Sequence, residues 1–255
     1  MLPIAVIPLN DPTGLLLPHV PQILPQLKRL FARTYVSLTL PTQQRQPDFC
    51  QWVREEPHFD VLEHAEPLAV GQDFSRLYKR AATSCAPEQM LHLCFIDRVA
   101  YALQSAYKDQ FEADIQRVTL ADTPLIFARS AAAWQTHPAN YYAVEQMVVQ
   151  AGELLLGQAL DFAWCHLVLS AAQLRTVLPK LQSPNIDIVA EFVIHLRHQI
   201  QTIDVDWLAW EDPFVYQRDP QQLQQERASS LAETQKRFNY AVPMLQHLLA
   251  ASRIE

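Results

Sequence analysis

Apolar positions along this chain fall into two kinds of block. "LPIAVIP" (2–8), "TYVSLTL" (34–40), "LHLCFI" (91–96) and "TPLIFA" (123–128) are short, nearly continuous apolar runs bounded by turn formers. That is the pattern of strands buried on both faces. Between them, "PHVPQILPQLKRLF", the polar stretch 41–56, "QDFSRLYKRAATSCA" and the segment from about 98 to 116 read as helices, with a brief strand at 59–62. The prolines of the first helix are expected near its start, where the missing N–H costs least. Strand, helix and strand in quick succession is the rhythm of a parallel sheet.

The texture changes after residue 128. Val144, Met147, Val148, Ala151, Leu154 and Leu155 recur at helical spacing and predict one amphipathic helix. "FAWCHLVLS" (162–170) supplies one more strand, and from about 171 the chain reads as largely helical, ending in a Gln- and Arg-rich helix from roughly 220. No internal repeat or low-complexity linker interrupts it. The expected architecture is an α/β domain over 1–215, a mostly parallel sheet flanked by helices with a helical C-terminal third. Residues 216–255 are expected to be a polar helical extension packed on the same domain.

Composition narrows the function classes. The chain has 255 residues, 49% of them hydrophobic and 18% charged, which suits a filled core and excludes global disorder. A net charge of −7 argues against nucleic acid or anionic lipid as a general partner. Cys50, Cys85, Cys94 and Cys165 form no CxxC pair, so they are expected to be reduced, mostly buried thiols of a cytoplasmic protein, without the paired ligands of a zinc site. The N-terminal stretch lacks the basic region of a signal peptide. The longest apolar region, Leu154 to Ala172, is broken by Gln158, Asp161 and His166 and predicts no membrane span. With only 4 glycines, both the Rossmann fingerprint and the P-loop are missing.

In open parallel sheets, ligands bind beyond the carboxyl ends of the strands. This selects the loops Leu9–Gly14, Asp97–Arg98 and Arg129–Ser130. Asp97 suits a divalent cation and Arg98 and Arg129 suit phosphate, although Asp97 equally suits a helix cap and Arg98 a solvated surface. Asn10 and Asp11 fit a base or ribose, and fit a plain Asx turn as well. In "NIDIVAEFVIHLRHQI" (185–200), Asp187, Glu191, His195 and His198 stack on one stripe opposite an apolar face. That stripe carries residue types for a general base or a metal, or simply faces water. Trp207, Trp210, Phe214 and Tyr216, with Glu211, Asp212 and Arg218, have the composition of a sugar or base pocket, and also that of a core. No serine or cysteine nucleophile motif occurs.

"NDPTGLLLP", "LCFIDRVAYAL", "FARSAAAWQTHP" (127–138), "DIVAEF" (187–192) and "LAWED" (208–212) occur in an order that resembles uncharacterised bacterial proteins of the nucleotide-diphospho-sugar transferase superfamily, with the GT-A glycosyltransferase-like fold. The resemblance implies a nucleotide-sugar donor bound over the strand ends and an acceptor site built by the second half. It also implies an Asp-x-Asp pair holding Mn²⁺ or Mg²⁺. Here the matching triplet is Phe95-Ile96-Asp97, so one expected ligand is missing and Asp97 stands alone as the metal residue. Asn10, Asp11, Arg98 and Arg129 become the nucleotide-binding candidates, and Asp187 or Glu191 the catalytic base. Trp207, Trp210 and Glu211 become the sugar or acceptor residues. Two further readings stand beside transfer: a non-catalytic relative that binds a nucleotide, a sugar or a protein, and a metallohydrolase built on Glu191, His195 and His198. Self-association through the C-terminal helix is a further expectation.

Overall fold

The computed structural model describes residues 1–118 and 123–253. Seven strands form one sheet: β1 (Ile4–Leu9), β2 (Thr34–Leu38), β3 (Phe59–Glu63), β4 (Met90–Cys94), β5 (Leu125–Arg129), β6 (His166–Ser170) and β7 (Gln201–Val205). Their spatial order is β3-β2-β1-β4-β6-β5-β7. Every pairing is parallel except those of β6, which runs antiparallel to both β4 and β5. The mostly parallel sheet expected from the apolar runs is therefore present.

Helices cover both faces. On one lie α1 (His19–Leu30), α3 (Pro47–Glu55), α5 (Ile96–Gln104) and α6 (Lys108–Val118), with α2 (Leu40–Arg45) leading into α3. On the other lie α4 (Val70–Ser84), α8 (Ala139–Leu156), α9 (Ala171–Val177), α10 (Ile188–Leu196) and α13 (Leu231–Ala251). The short α7 (Ala131–Thr136) and α11 (Asp212–Val215), and α12 (Pro220–Ser229), complete the chain. No helix among the described residues is long and apolar enough to cross a membrane.

Several local expectations are corrected. The polar stretch 41–56 is two helices, divided at Gln46 before Pro47, and the 98–116 segment is divided at Ser105. Pro25 lies inside α1, where it removes the intrahelical N–H bond to the carbonyl one turn back. Leu154, counted in the amphipathic face of α8, is 86% exposed, while Tyr141, Val144, Val148 and Gly152 are buried. The helical reading of the last third missed β7, because Gln201–Val205 is a polar edge strand with only Val205 buried. Of the extension beyond 215, α13 brings Ala241, Met244 and Leu248 into the core, and residues 254–255 lie outside the described residues.

One glycine holds a close approach. At Gly71, in the first turn of α4, a Cβ would stand 2.5 Å from the Asn185 carbonyl oxygen and 2.7 Å from that of Ser183, and its N–H donates to the Pro184 carbonyl at 2.8 Å. Gly157, by contrast, ends α8 at φ +70° with open space around its Cα. Gly71→Ala is expected to lower stability by about 1–3 kcal/mol by overpacking, and Gly157→Ala by about 1–2 kcal/mol through left-handed strain alone. Urea unfolding of both variants checks the contrast.

Candidate functional site

The carboxyl ends of β1, β2 and β4 open on a cleft of 570 Å³. The β1–β4 ladder ends at Val6–Leu93, while β1 runs on to Leu9 paired only with β2. Pro8 falls in that overhang, where a ladder donor is needed least. Asn10, Thr39, Asp73, Asp97 and Lys236 supply polar groups to the cleft, among Leu68, Phe74 and Phe95. A smaller cavity of 180 Å³ adjoins it through the shared residues Phe95, Ile186 and Tyr240. Arg98, Arg129, Arg237, Glu145 and Cys165 give this inner cavity its polar groups, and Trp164, Val189 and Met244 its apolar wall.

The chain makes this concentration of charge locally. Asp97 lies in the first turn of α5, which begins as soon as β4 ends, and its carboxylate accepts the Arg98 N–H at 2.8 Å. Arg98 is buried and paired with Glu211. Arg129, the last residue of β5, is also buried; its guanidinium meets Glu145 at 2.7 Å and Asp161 at 3.8 Å, and lies 4.4 Å from the centre of the Trp134 ring. Arg237 reaches Glu145 at 3.5 Å and lies 3.6 Å from the centre of the Tyr141 ring. Three guanidiniums and four carboxylates thus share a mostly desolvated space.

Burial sets the titration of these groups. Burial pushes the Glu211 carboxyl up to about 8, against the pull of Arg98 and reinforced by Asp97 and Asp212. Burial likewise raises Asp97 and Asp161, opposed by the neighbouring Arg98 and Arg129 respectively. Burial raises the Cys165 thiol too, so it is no ready nucleophile despite the nearby guanidiniums. Arg98 stays protonated: burial opposes its charge most strongly, but Glu211, Cys165 and Asp97 together more than offset this.

Asn10 and Asp97 line the outer cleft and Arg98 and Arg129 the inner cavity, with Glu211 paired to Arg98 and lining neither. Asp11 does not open into them: its carboxylate accepts the N–H groups of Leu15 and Leu16, at 3.0 and 2.7 Å, and the Thr13 hydroxyl at 3.1 Å. It organises the loop, as an Asx turn would. Trp207 is fully buried, edge-on to Phe111 and with its Nε1–H donating to Asp114 at 2.9 Å. Trp210 is also buried, near Tyr141. Neither ring offers a face to a sugar, because the apolar bulk of both is in the core.

Asp187 and Glu191 are held apart from the cleft. Glu191 accepts the N–H groups of Gln182 and Ser183, each at 2.9 Å, and Asp187 meets His247 of α13 at 2.7 Å. Together they fasten α10 to α13. Of the Glu191–His195–His198 stripe, Glu191 and His195 line a pocket of 370 Å³ together with His247, while His198 lies beyond the end of α10 at Leu196. Among the described residues the one His/Cys/acid group with metal-binding spacing is His92, Cys94 and His166. Sequence reading missed it because strand pairing brings together residues 74 positions apart. The i, i+2 spacing of His92 and Cys94 on a strand was its sole local signal.

No family model matches the chain, and no curated protein matches it in sequence. Among solved structures it is similar to glucosyl-3-phosphoglycerate synthase from Mycobacterium tuberculosis in complex with Mn²⁺, uridine diphosphate and glucosyl-3-phosphoglycerate. The identity is 11%, the TM-score 0.48, and the match covers 80% of this chain and 69% of that one. It is similar also to 4-diphosphocytidyl-2C-methyl-D-erythritol synthase from Anaerococcus prevotii DSM 20548, at 7% identity and a TM-score of 0.45, over 84% of this chain and 93% of that one.

Two expectations follow from the buried charges. Arg129→Ala leaves Glu145 and Asp161 without their shared cation and is expected to cost about 3–5 kcal/mol in urea unfolding. The raised Glu211 carboxyl favours the folded state while it is protonated, and this contribution falls away as pH rises toward about 8. Glu211→Gln, which cannot ionise, should therefore lose less stability than the parent chain between pH 6 and 9, as read by unfolding midpoints across that range.

Proposed function

We propose that the chain binds a nucleoside-diphosphate sugar in the 570 Å³ cleft and transfers the sugar to an acceptor hydroxyl. The supporting observation is position. Asn10, Thr39 and Asp97 line one cleft at the carboxyl ends of adjacent parallel strands, where the strand order turns from β1 toward β2 on one side and β4 on the other. Arg98 and Arg129, directly behind it, supply positive charge toward a diphosphate.

In such a transfer the acceptor oxygen bonds to the anomeric carbon. The bond to the diphosphate oxygen breaks with its electron pair, and the hydroxyl proton passes to a carboxylate. Glu211 suits that last role better than Asp187 or Glu191. It is buried beside Arg98, which lines the inner cavity, and burial raises its carboxyl, whereas the other two are engaged by His247 and by backbone N–H groups. The half-buried Asp97 offers a hard oxygen donor, which fits Mn²⁺ or Mg²⁺. Asp97 would hold such an ion, whose contribution is to neutralise charge on the leaving diphosphate.

Phe95 favours a second reading. Its ring packs 5.7 Å from that of Phe74 where the first acid of an Asp-x-Asp pair is expected, which suits a relative that binds a nucleotide without turning it over. Calorimetric titration with UDP-, GDP- and ADP-sugars, with and without Mn²⁺, tests both. One donor is expected to bind in a Mn²⁺-dependent manner, and Asp97→Ala to weaken it about tenfold or more, the loss of one charged contact. Release of nucleoside diphosphate in the presence of acceptors distinguishes transfer from binding alone. Absence of binding by every nucleotide sugar would overturn both readings.

A further inference from the structure

We propose that His92, Cys94 and His166 form a buried site for one monovalent copper ion. The proposal is independent of the cleft and of any transfer reaction.

Strand geometry builds the cluster. His92 and Cys94 stand two residues apart on β4 and so point to the same side of the sheet. The antiparallel β6 sets His166 directly across from Cys94. One donor atom from each of the three lies within 4.8 Å of the others, and all three side chains are buried. The surroundings are dry and aromatic. The rings of Phe31 and Phe127 lie 5.9 Å from His92, and Trp207 and Phe111 lie 4.8 and 6.4 Å from His166.

A structural hydrogen bond between the two imidazoles does not use all their nitrogens. His166 Nδ1 and His92 Nε2 are 2.9 Å apart, so one ring donates and the other accepts. Among the described residues, His92 Nδ1 and His166 Nε2 then have no hydrogen-bond partner. In a neutral pair of this kind one of those two nitrogens is a bare lone pair and the other an unpaired N–H. Ligation of one ion by both rings exchanges their mutual hydrogen bond for two bonds to the metal, with the Cys94 sulfur as the third donor of the group.

The charge of the ion follows from the same surroundings. As the ion binds, the Cys94 thiol gives its proton to solvent and the sulfur bonds to the metal. A monovalent ion and one thiolate then sum to zero. A divalent ion would leave a full positive charge in a low-dielectric core. The nearby acid Asp114 is already engaged by Trp207 at 2.9 Å and Arg117 at 3.3 Å. Zinc in a closed site takes four ligands, and among the described residues the group has three. One soft thiolate with two imidazoles suits monovalent copper.

The test is an anaerobic titration of the whole chain with monovalent copper, supplied as its bicinchoninate complex, followed by elemental analysis and X-ray absorption. The expected result is one copper per chain, withdrawn from the chelator and bound by one sulfur and two imidazole nitrogens. Cys94→Ser should weaken binding by more than the ~10–100-fold typical of losing an outer-shell partner, while Cys50→Ser, elsewhere in the same core, should retain it. Failure of the chain to compete with bicinchoninate, one tightly held zinc in place of copper, or copper retained in Cys94→Ser would each overturn the proposal. If Cys94→Ser does not fold, the absorption spectrum of the parent chain decides: coordination lacking sulfur, or by sulfur alone, overturns it.

Discussion

The reversal of β6 is the constraint on which the site depends. A parallel strand inserted between β4 and β5 would begin at the opposite end of the sheet from the cleft. Because β6 runs antiparallel, its start lies beside the carboxyl ends of β4 and β5. Ala163, Trp164 and Cys165, the residues entering it, therefore help to line the inner cavity, next to Arg98 in the first turn of α5 and Arg129 at the end of β5. The same reversal sets His166 opposite Cys94.

Charge is brought indoors at this end of the sheet, and each guanidinium has an acid within reach: Arg98 with Glu211, Arg129 with Glu145 and Asp161, Arg237 with Glu145. Aromatic rings complete the enclosure, Trp134 against Arg129 and Tyr141 against Arg237. Removing water strengthens these attractions and also makes any unpaired charge expensive. A buried network of this kind holds its groups in place before a ligand arrives. Glu211 is the member whose protonation is most easily changed, since burial and the nearby Asp97 and Asp212 oppose the pull of Arg98.

The last helix is part of the site as well as of the core. Lys236 and Tyr240 line the outer cleft, and Arg237, Tyr240, Ala241 and Met244 the inner cavity. Asn140 and Tyr141 of α8 bind Thr234 and Glu233 near the start of α13, and His247 near its end meets Asp187. α13 is thereby fixed at both ends across the openings it walls.

Much of this was legible in the order of residues. The runs beginning at Leu2, Thr34, Leu91 and Thr123 are apolar enough to be strands buried on both faces, and their rhythm with helices implies the parallel sheet. The rule of strand ends then pointed to Asn10, Asp97, Arg98 and Arg129, because it depends on connectivity alone. Tertiary structure decided what connectivity cannot express. A pattern of apolar residues has no direction, so the reversal of β6 was hidden, and with it the meeting of His92, Cys94 and His166. β7 is a polar edge strand, recruited by its pairing with β5 and not by apolar content. Burial separated residues of equal chemical promise: Trp207 and Trp210 went to the core, Asp11 to its own loop, Asp187 and Glu191 to a clasp between two helices. Local sequence sets what a side chain can do, but its neighbours in space determine which of those capacities is left free.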